Sequence, residues 1–456
     1  MVDYFKINYS MINQDRFDSE YFKPEYLQSI KILESTGATT TLGKLFKIVR
    51  RGMQPEYSLS GTIRVLRSVN VGNMTFNNKR QEYVSNNFLN SNTRGEVLYK
   101  DILITSTGVG TLGRTSIWSS QEKAFCDGHI TILRESSVDP YLITAFLNSK
   151  YGLFQFDQNY RGSSGQIEIY PFDLSKFIIP EVIFSYQEEV GDMVREAFVL
   201  EEESKNYEEE AKQILNEALN IDNSDLDNLS NKFISSFSDI AISNRFDSEY
   251  YNPRAKKIVE RIKELDHVLI GTNFDIKNGF PWKSNCFLED NSGLPVIRIR
   301  DIKPTFIDNE ALTSLEPTYA ESIDFPKAQP NDIVIGMDGA KYFYGSLLEK
   351  ECLVNQRVCH ITPKENANIS SEYTTFIINS EIGQSQLMRD MTIAGTVGHI
   401  TNINVSKLII PIFSAEIHSK ITELVRNSIN AKKDSKKLLR EAVLKVESII
   451  EESANI

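Results

Sequence analysis

The sequence predicts an α+β fold made by tandem duplication: a mixed α/β domain followed by a long helix, then the same again, with the two helices pairing as a coiled coil. Three observations carry this. Distinctive segments recur in the same order at a nearly constant offset, short strand-like runs fill the middle of each half, and a long helical periodicity closes each half.

The repeat opens on a lead-in: RFDSEYFKP at Arg16–Pro24 returns as RFDSEYYNP at Arg245–Pro253, 229 residues on. VLRSVN (Val65–Asn70) then faces RIRDIK (Arg298–Lys303), and DILITSTG (Asp101–Gly108) faces DIVIGMDG (Asp332–Gly339). FLNSKYG (Phe146–Gly152) faces FIINSEIG (Phe376–Gly383), and LSKFIIP (Leu174–Pro180) faces VSKLIIP (Val405–Pro411). The offset stays between 229 and 233, which sets halves of roughly 4–231 and 232–456. Within them we expect a first globular domain at 1–184, a first helix at 185–220, a linker and start of the second repeat at 221–244, a second domain at 245–413 and a second helix at 414–456.

Between lead-in and helix the elements follow one order in both halves. Runs such as TIRVLRSVNV, DILITS, HITIL, PVIRIRDI and VCHITP read as strands, because branched apolar residues are bounded by Gly, Asn, Pro and Ser. A helix around DPYLITAFLNSKYG or SEYTTFIINSEIG comes next, then a Gly-rich loop (YRGSSGQIEI or IAGTVGHITNI) and the IIP strand. In the first closing helix apolar residues fall at Val190, Met193, Val194, Ala197, Leu200, Tyr207, Ala211, Ile214, Leu215 and Ala218. In the second they fall at Ile417, Ile421, Leu424, Ala431, Leu438, Ala442, Val446 and Ile449. Steps of three and four over this length favour a helix pair over helices that pack only on their own domains. Charge agrees: Glu188–Asp225 holds 13 acidic and 3 basic residues, whereas Glu416–Glu452 holds 7 and 8. The Lys432–Lys437 run is expected beside the acidic Glu201–Glu210 stretch.

The composition is that of an ordinary globular protein: 456 residues, 41% hydrophobic and 25% charged, with room for two to four domains. MVDYFKINYS does not read as a signal peptide, and FIIPEVIF and LIIPIF are too short to span a bilayer. Cys126, Cys286, Cys352 and Cys359 include no CxxC, which gives no zinc or disulfide framework and leaves a reducing cytoplasm as the expected compartment. His129 near Cys126, and Cys359 beside His360, complete no metal site and read as packed core.

Gly108-x-Gly110-x-x-Gly113 has the spacing of a dinucleotide loop, but a strand-like Arg114–Trp118 follows where a helix is required. The second half keeps Gly339 and Gly345 and loses the pattern. A strand, a glycine turn and a second strand is what both halves share. No phosphate-binding loop ending in Gly-Lys-Ser/Thr and no methyltransferase motif is present, so a self-contained enzyme lacks its machinery.

A net charge of −12 argues against a nucleic-acid partner until its distribution is considered. Residues 40–115 hold 11 Lys/Arg against 4 acids, a phosphate-neutralising composition or a merely solvated basic surface. Residues 271–361 hold 9 against 13, so the second half would have to form a local patch amid acids. The Gly-rich loops, with Ser163, Ser164 and Gln166 in the first half and His399 in the second, are either base readers or connectors.

The duplicated layout, the R-F-D-S-E-Y-[FY]-x-P lead-in, the Asp-Ile-[Leu/Val] strand with its glycine turn and the S-K-[FL]-I-I-P strand resemble the specificity subunits of type I restriction–modification systems across essentially the whole chain. Asp101 and Asp332 follow Lys and Asn where that family often has Gly. The resemblance implies a non-catalytic subunit whose two long helices pair as an antiparallel coiled coil, and which binds double-stranded DNA through two target-recognition domains and reads a bipartite target. Its helices would act as a ruler of about 50 Å at ~1.5 Å per residue. No cofactor is expected in this chain. Two methyltransferase subunits carrying S-adenosylmethionine would methylate adenine, and an ATP-dependent translocase subunit would add cleavage.

On that reading DNA contact is expected from Arg50, Arg51, Arg64, Arg67, Arg114, Ser163, Ser164 and Gln166, and from Lys283, Arg298, Arg300, Lys303, Lys341, Tyr342 and His399. Arg67 and Arg300 stand in equivalent slots of the repeat, which suggests a shared structural or phosphate role. The lead-in acids Asp18, Glu20, Asp247 and Glu249 lack a water-activating partner and are expected to dock each domain on the helices or on a methyltransferase. The open alternatives are the recognition subunit of another methylation-based defence system and a protein-interaction scaffold without a DNA role.

Overall fold

The structure is a computed structural model that describes residues 16, 18–78, 80–162, 165–221, 232–288, 292–308, 312–339, 342–394 and 397–455. It forms two compact units, Met1–Glu202 with Lys432–Ile456, and Glu203–Ala431.

In the first unit a four-stranded antiparallel sheet runs in the order Phe46–Arg51, Ile130–Ser136, Ile102–Thr105, Thr115–Ile117. A second sheet runs Glu82–Val84, Ile63–Leu66, Ala124–Cys126, Glu96–Val97, with its central pair parallel. The second unit repeats this plan. Phe274–Asn278, Val358–Pro363, Ile333–Gly336, Gly345–Leu347 and Thr305–Phe306 make one sheet. Phe287–Leu288, Thr313–Leu315, Leu294–Ile297 and Leu353–Val354 make the other, in which Leu294–Ile297 again takes a parallel partner, here the edge strand Leu353–Val354.

Each helix expected from the repeat is a pair of helices: Pro140–Asn148 with Lys150–Asn159, and Ser371–Asn379 with Glu381–Asp390. The glycine of NSKYG and NSEIG explains the tight corner. A Cβ on Gly152 would stand 2.4 Å from the Phe146 carbonyl oxygen, and one on Gly383 would stand 2.4 Å from that of Ile377. The IIP strands pair antiparallel with Thr39–Thr41 and His267–Leu269. Gln155 bonds both backbone groups of Ile178, and Gln386 does the same for Ile409, so a buried amide continues each small sheet.

The long helices span Gln187–Leu219 and Ala415–Ser453. Within the first unit Ser435 donates to the Ala197 carbonyl at 2.7 Å and Lys445 meets Glu189 at 3.0 Å. Within the second, Ser204 and Ser428 share a hydrogen bond of 2.9 Å and Lys420 meets Glu210 at 3.4 Å. Rising numbers on one helix meet falling numbers on the other, which is antiparallel pairing. Contact with Ala197 centres the Lys432–Lys437 run there rather than on the expected Glu201–Glu210 stretch. The helices also pack on the domains: Val190, Val194, Ala442, Val446, Ile449 and Ile450 belong to the first unit's core, and Ala211, Leu215, Leu219, Ile421, Leu424 and Ile429 to the second's. No described helix is long and apolar enough to cross a membrane.

Candidate nucleic-acid interface

In both units the strand beginning at the repeated Asp ends in a turn that faces the Gly-rich loop. In the first unit Gly108, Gly110 and Gly113 all take positive φ (103°, 75° and 83°), a region open to glycine and costly for L side chains. Strand Thr115–Ile117 follows directly, so the GxGxxG spacing is hairpin geometry. In the second unit Gly339 serves close approach instead: a Cβ there would lie 2.4 Å from the Tyr342 carbonyl oxygen.

Backbone pairing fixes which residues correspond. Thr107 bridges Glu168 as Asp338 bridges His399. Ser106 N–H donates to the His129 carbonyl as Met337 N–H donates to that of Arg357. One scaffold therefore presents two chemistries. In the first unit Thr107 Oγ1 lies 2.8 Å from His129 Nδ1, and Arg51 grips Glu168 with two nitrogens at 3.1 Å while lying over the Tyr170 ring. Hydrogen bonding from the Tyr170 hydroxyl, and then from Arg51, holds the Glu168 carboxyl below its ordinary range. In the second unit Asp338 takes both partners: His399 Nδ1 lies 2.6 Å from Oδ1, and Arg357 forms an ion pair with Oδ2. Thr107, His129, Glu168, Tyr170, Asp338 and Arg357 were absent from the expected contacts. The available signal was position: His129 opens the HITIL run and Arg357 immediately precedes VCHITP.

The expected arginines divide by partner. Arg51 and Arg67 sit on the carboxylates of Glu168 and Glu82. Arg50, Arg64 and Arg114 donate to the carbonyls of Thr93 (3.2 Å), Asn77 (2.7 Å) and Gly110 (2.7 Å), which orient a guanidinium without cancelling its charge. Burial pulls the Arg64 guanidinium below its ordinary range. Gln166 is exposed, and Ser163, Ser164 and Lys341 lie outside the described residues.

In the second unit Arg298, Arg300 and Lys303 occupy one turn after strand Leu294–Ile297. Arg298 covers the Phe287 ring, Arg300 donates to Thr313 Oγ1 at 2.7 Å, and Lys303 Nζ donates to the Arg300 carbonyl. Lys303 N–H also reaches Ser346 Oγ at 3.0 Å, which joins this turn to the strand following Tyr342 and Tyr344. Those two rings stack with centroids 5.3 Å apart. Lys283 stands apart from this group, over the Tyr319 ring. The Arg67–Arg300 equivalence needs correction. Arg67 N–H donates to Asn70 Oδ1 and Arg298 N–H to Asp301 Oδ2, each closing the same turn after the parallel strand, so Arg67 corresponds to Arg298.

Cys126 and Cys359 are buried, and burial pushes the Cys359 thiol up to about 12. Among the described residues no group of three metal-ligating side chains comes together.

The two units share one scaffold and carry different polar groups at matched positions, which defines the class as a tandem duplication with diverged sites. Residues 262–444 match the family model of the type I restriction modification DNA specificity domain. It is 29% identical over 143 residues, 30% of this chain, to the type I restriction enzyme EcoBI specificity subunit of Escherichia coli, and the match spans 27% of that relative's length. Among solved structures, the S subunit from M. genitalium aligns over 91% of this chain and 95% of its own at 14% identity and a TM-score of 0.40. The HsdS subunit from Thermoanaerobacter tengcongensis aligns over 91% and 96% at 11% identity and 0.29.

Proposed function

We propose that this chain is the DNA-reading subunit of a type I modification complex, each unit contacting one half of a bipartite, asymmetric target. The observation that carries the reading is the exchange of Thr107, His129 and Glu168 for Asp338, Arg357 and His399 on matched backbone positions. A duplicated scaffold that served only as a support would have no need of two polar sets at one place, whereas two half-sites require them. Arg50, Arg64 and Arg114 on one unit, and Arg298, Arg300 and Lys303 on the other, supply donors for phosphates or base edges. The chain brings recognition alone. Two partner methyltransferase subunits, holding S-adenosylmethionine, perform adenine methylation, and an ATP-dependent subunit adds cleavage where one is present.

The test is deletion of the chain from its host, with adenine methylation mapped across the chromosome before and after. A two-part motif that disappears supports the reading, and exchange of one unit should change only one half of it. An unchanged methylation map sinks it and leaves a protein-interaction scaffold ahead.

A further inference from the structure

Resting on that reading, we propose that Asp338, Arg357 and His399 form one reading group for a G·C base pair in the half-site of the second unit. Asp338 is well covered, with its side chain 16% exposed, while Arg357 and His399 are 58% and 44% exposed. The partly covered carboxylate thus holds two half-exposed side chains by one oxygen each. A carboxylate only accepts, so Nδ1 of His399 carries a proton toward Asp338, and reading by this group uses the tautomer in which Nε2 is an acceptor. Arg357 spends Nη1 on Asp338 and keeps its remaining N–H groups as donors in a fixed fork.

The group therefore offers donors beside an acceptor. A G·C pair presents the complement in the major groove: acceptors N7 and O6 on guanine, then the N4 donor on cytosine. An A·T pair presents acceptor, donor, acceptor, and would set the adenine amino group against the Arg357 fork. The matched positions of the first unit, Thr107, His129 and Glu168, do not offer this set, so the two half-sites differ at the corresponding base pair.

The experiment replaces the chain in its host by Arg357→Ala, Arg357→Lys and His399→Ala and maps the methylated motif for each. Loss of a bidentate contact should reduce the preference for guanine at one position of one half-site roughly tenfold to a hundredfold. His399→Ala should relax the same base pair, and the other half-site should stay unchanged in all three. Arg357→Lys keeps the charge and loses the fork. Relaxed guanine selection in that variant supports the proposal even if Arg357→Ala fails to fold. Unchanged selection in Arg357→Lys and His399→Ala, relaxation at different base pairs, or no G·C pair in the affected half-site overturns the proposal while the reader function stands. Absence of any methylation that depends on the wild-type chain removes both.

Discussion

Arg16 and Asp18, two residues apart, join in an ion pair of 2.8 Å that holds the arginine over the end of the helix Lys150–Asn159. From there the guanidinium donates to the carbonyls of Gln158, Asn159 and Tyr160. Those are the carbonyls a helix leaves without partners at its C-terminus, where positive charge is also favoured. Arg245 and Asp247 repeat the device on Asp390 and Met391. The most recognisable repeated motif therefore has a role inside each unit as a helix cap. Arg16→Ala should cost about 1–3 kcal/mol, since it leaves covered carbonyls unpaired. Arg245→Ala should cost a comparable amount, and thermal unfolding of the two variants reads both.

The same pairs carry a pH dependence. Hydrogen bonding to Arg16 holds the Asp18 carboxyl below its ordinary value of 3.8, and Arg245 does the same for Asp247. A carboxyl depressed in the folded state adds stability that is fully present above its unfolded value and is lost as pH falls through the folded one. The contribution is therefore intact at neutral pH and fades below about 3.8. Acid titration of the double variant Asp18→Asn with Asp247→Asn should show a smaller loss of stability over that window than wild type. An equal loss would place the acid sensitivity elsewhere.

Asp101 presents the opposite balance. It is almost fully buried, and burial raises its carboxyl despite two bonds from Arg134 (2.7 and 2.8 Å) and one from the Leu98 N–H. Removing one partner of a covered pair leaves the other charge unpaired, at a cost of about 3–5 kcal/mol. Arg134→Met should approach that figure in urea unfolding, well above Arg16→Ala. In the second unit Asp332 keeps the bond to a backbone N–H three residues earlier but takes His360 as its partner, at 3.1 Å.

The glycine turn separates two kinds of strain. Gly110 and Gly113 both have positive φ, but a Cβ on Gly110 meets nothing within 4 Å, while one on Gly113 lies 3.0 Å from the Phe156 ring. Gly110→Ala should cost about 1 kcal/mol from the backbone alone. Gly113→Ala should cost more, because it adds a clash with a packed aromatic. Equal melting temperatures for the two would show that the ring yields.

These contacts explain what could be read from the chain. The duplication was legible because residues with fixed structural duties recur: the capping Arg16 and Arg245, the corner glycines Gly152 and Gly383, and the buried Asp101 and Asp332. Register was harder. Asn70 and Asp301 accept the same backbone bond, so chemistry was kept while the letters changed, and matching letters set Arg67 against Arg300 instead of Arg298. The group of Asp338, Arg357 and His399 was out of reach, since its members lie 19 and 61 positions apart and only strand pairing brings them together.

Partner identity also ranks the basic residues for DNA binding. Arg51 and Arg67 are matched by carboxylates, whereas Arg50 and Arg114 rest on carbonyls and retain a full charge for phosphates. Each phosphate neutralised contributes a slope of about −0.9 to the plot of log binding constant against log salt. Arg50→Ala and Arg114→Ala should each flatten that plot by about one unit, with similar losses on any duplex sequence, if they meet phosphates. Arg67→Ala should change the slope less, because Glu82 already balances it locally. The measurement is titration of the full chain with duplex DNA at several salt concentrations. A slope change for Arg67→Ala that equals or exceeds that for Arg114→Ala would show that the Glu82 pair opens on binding, and that local pairing does not rank these charges.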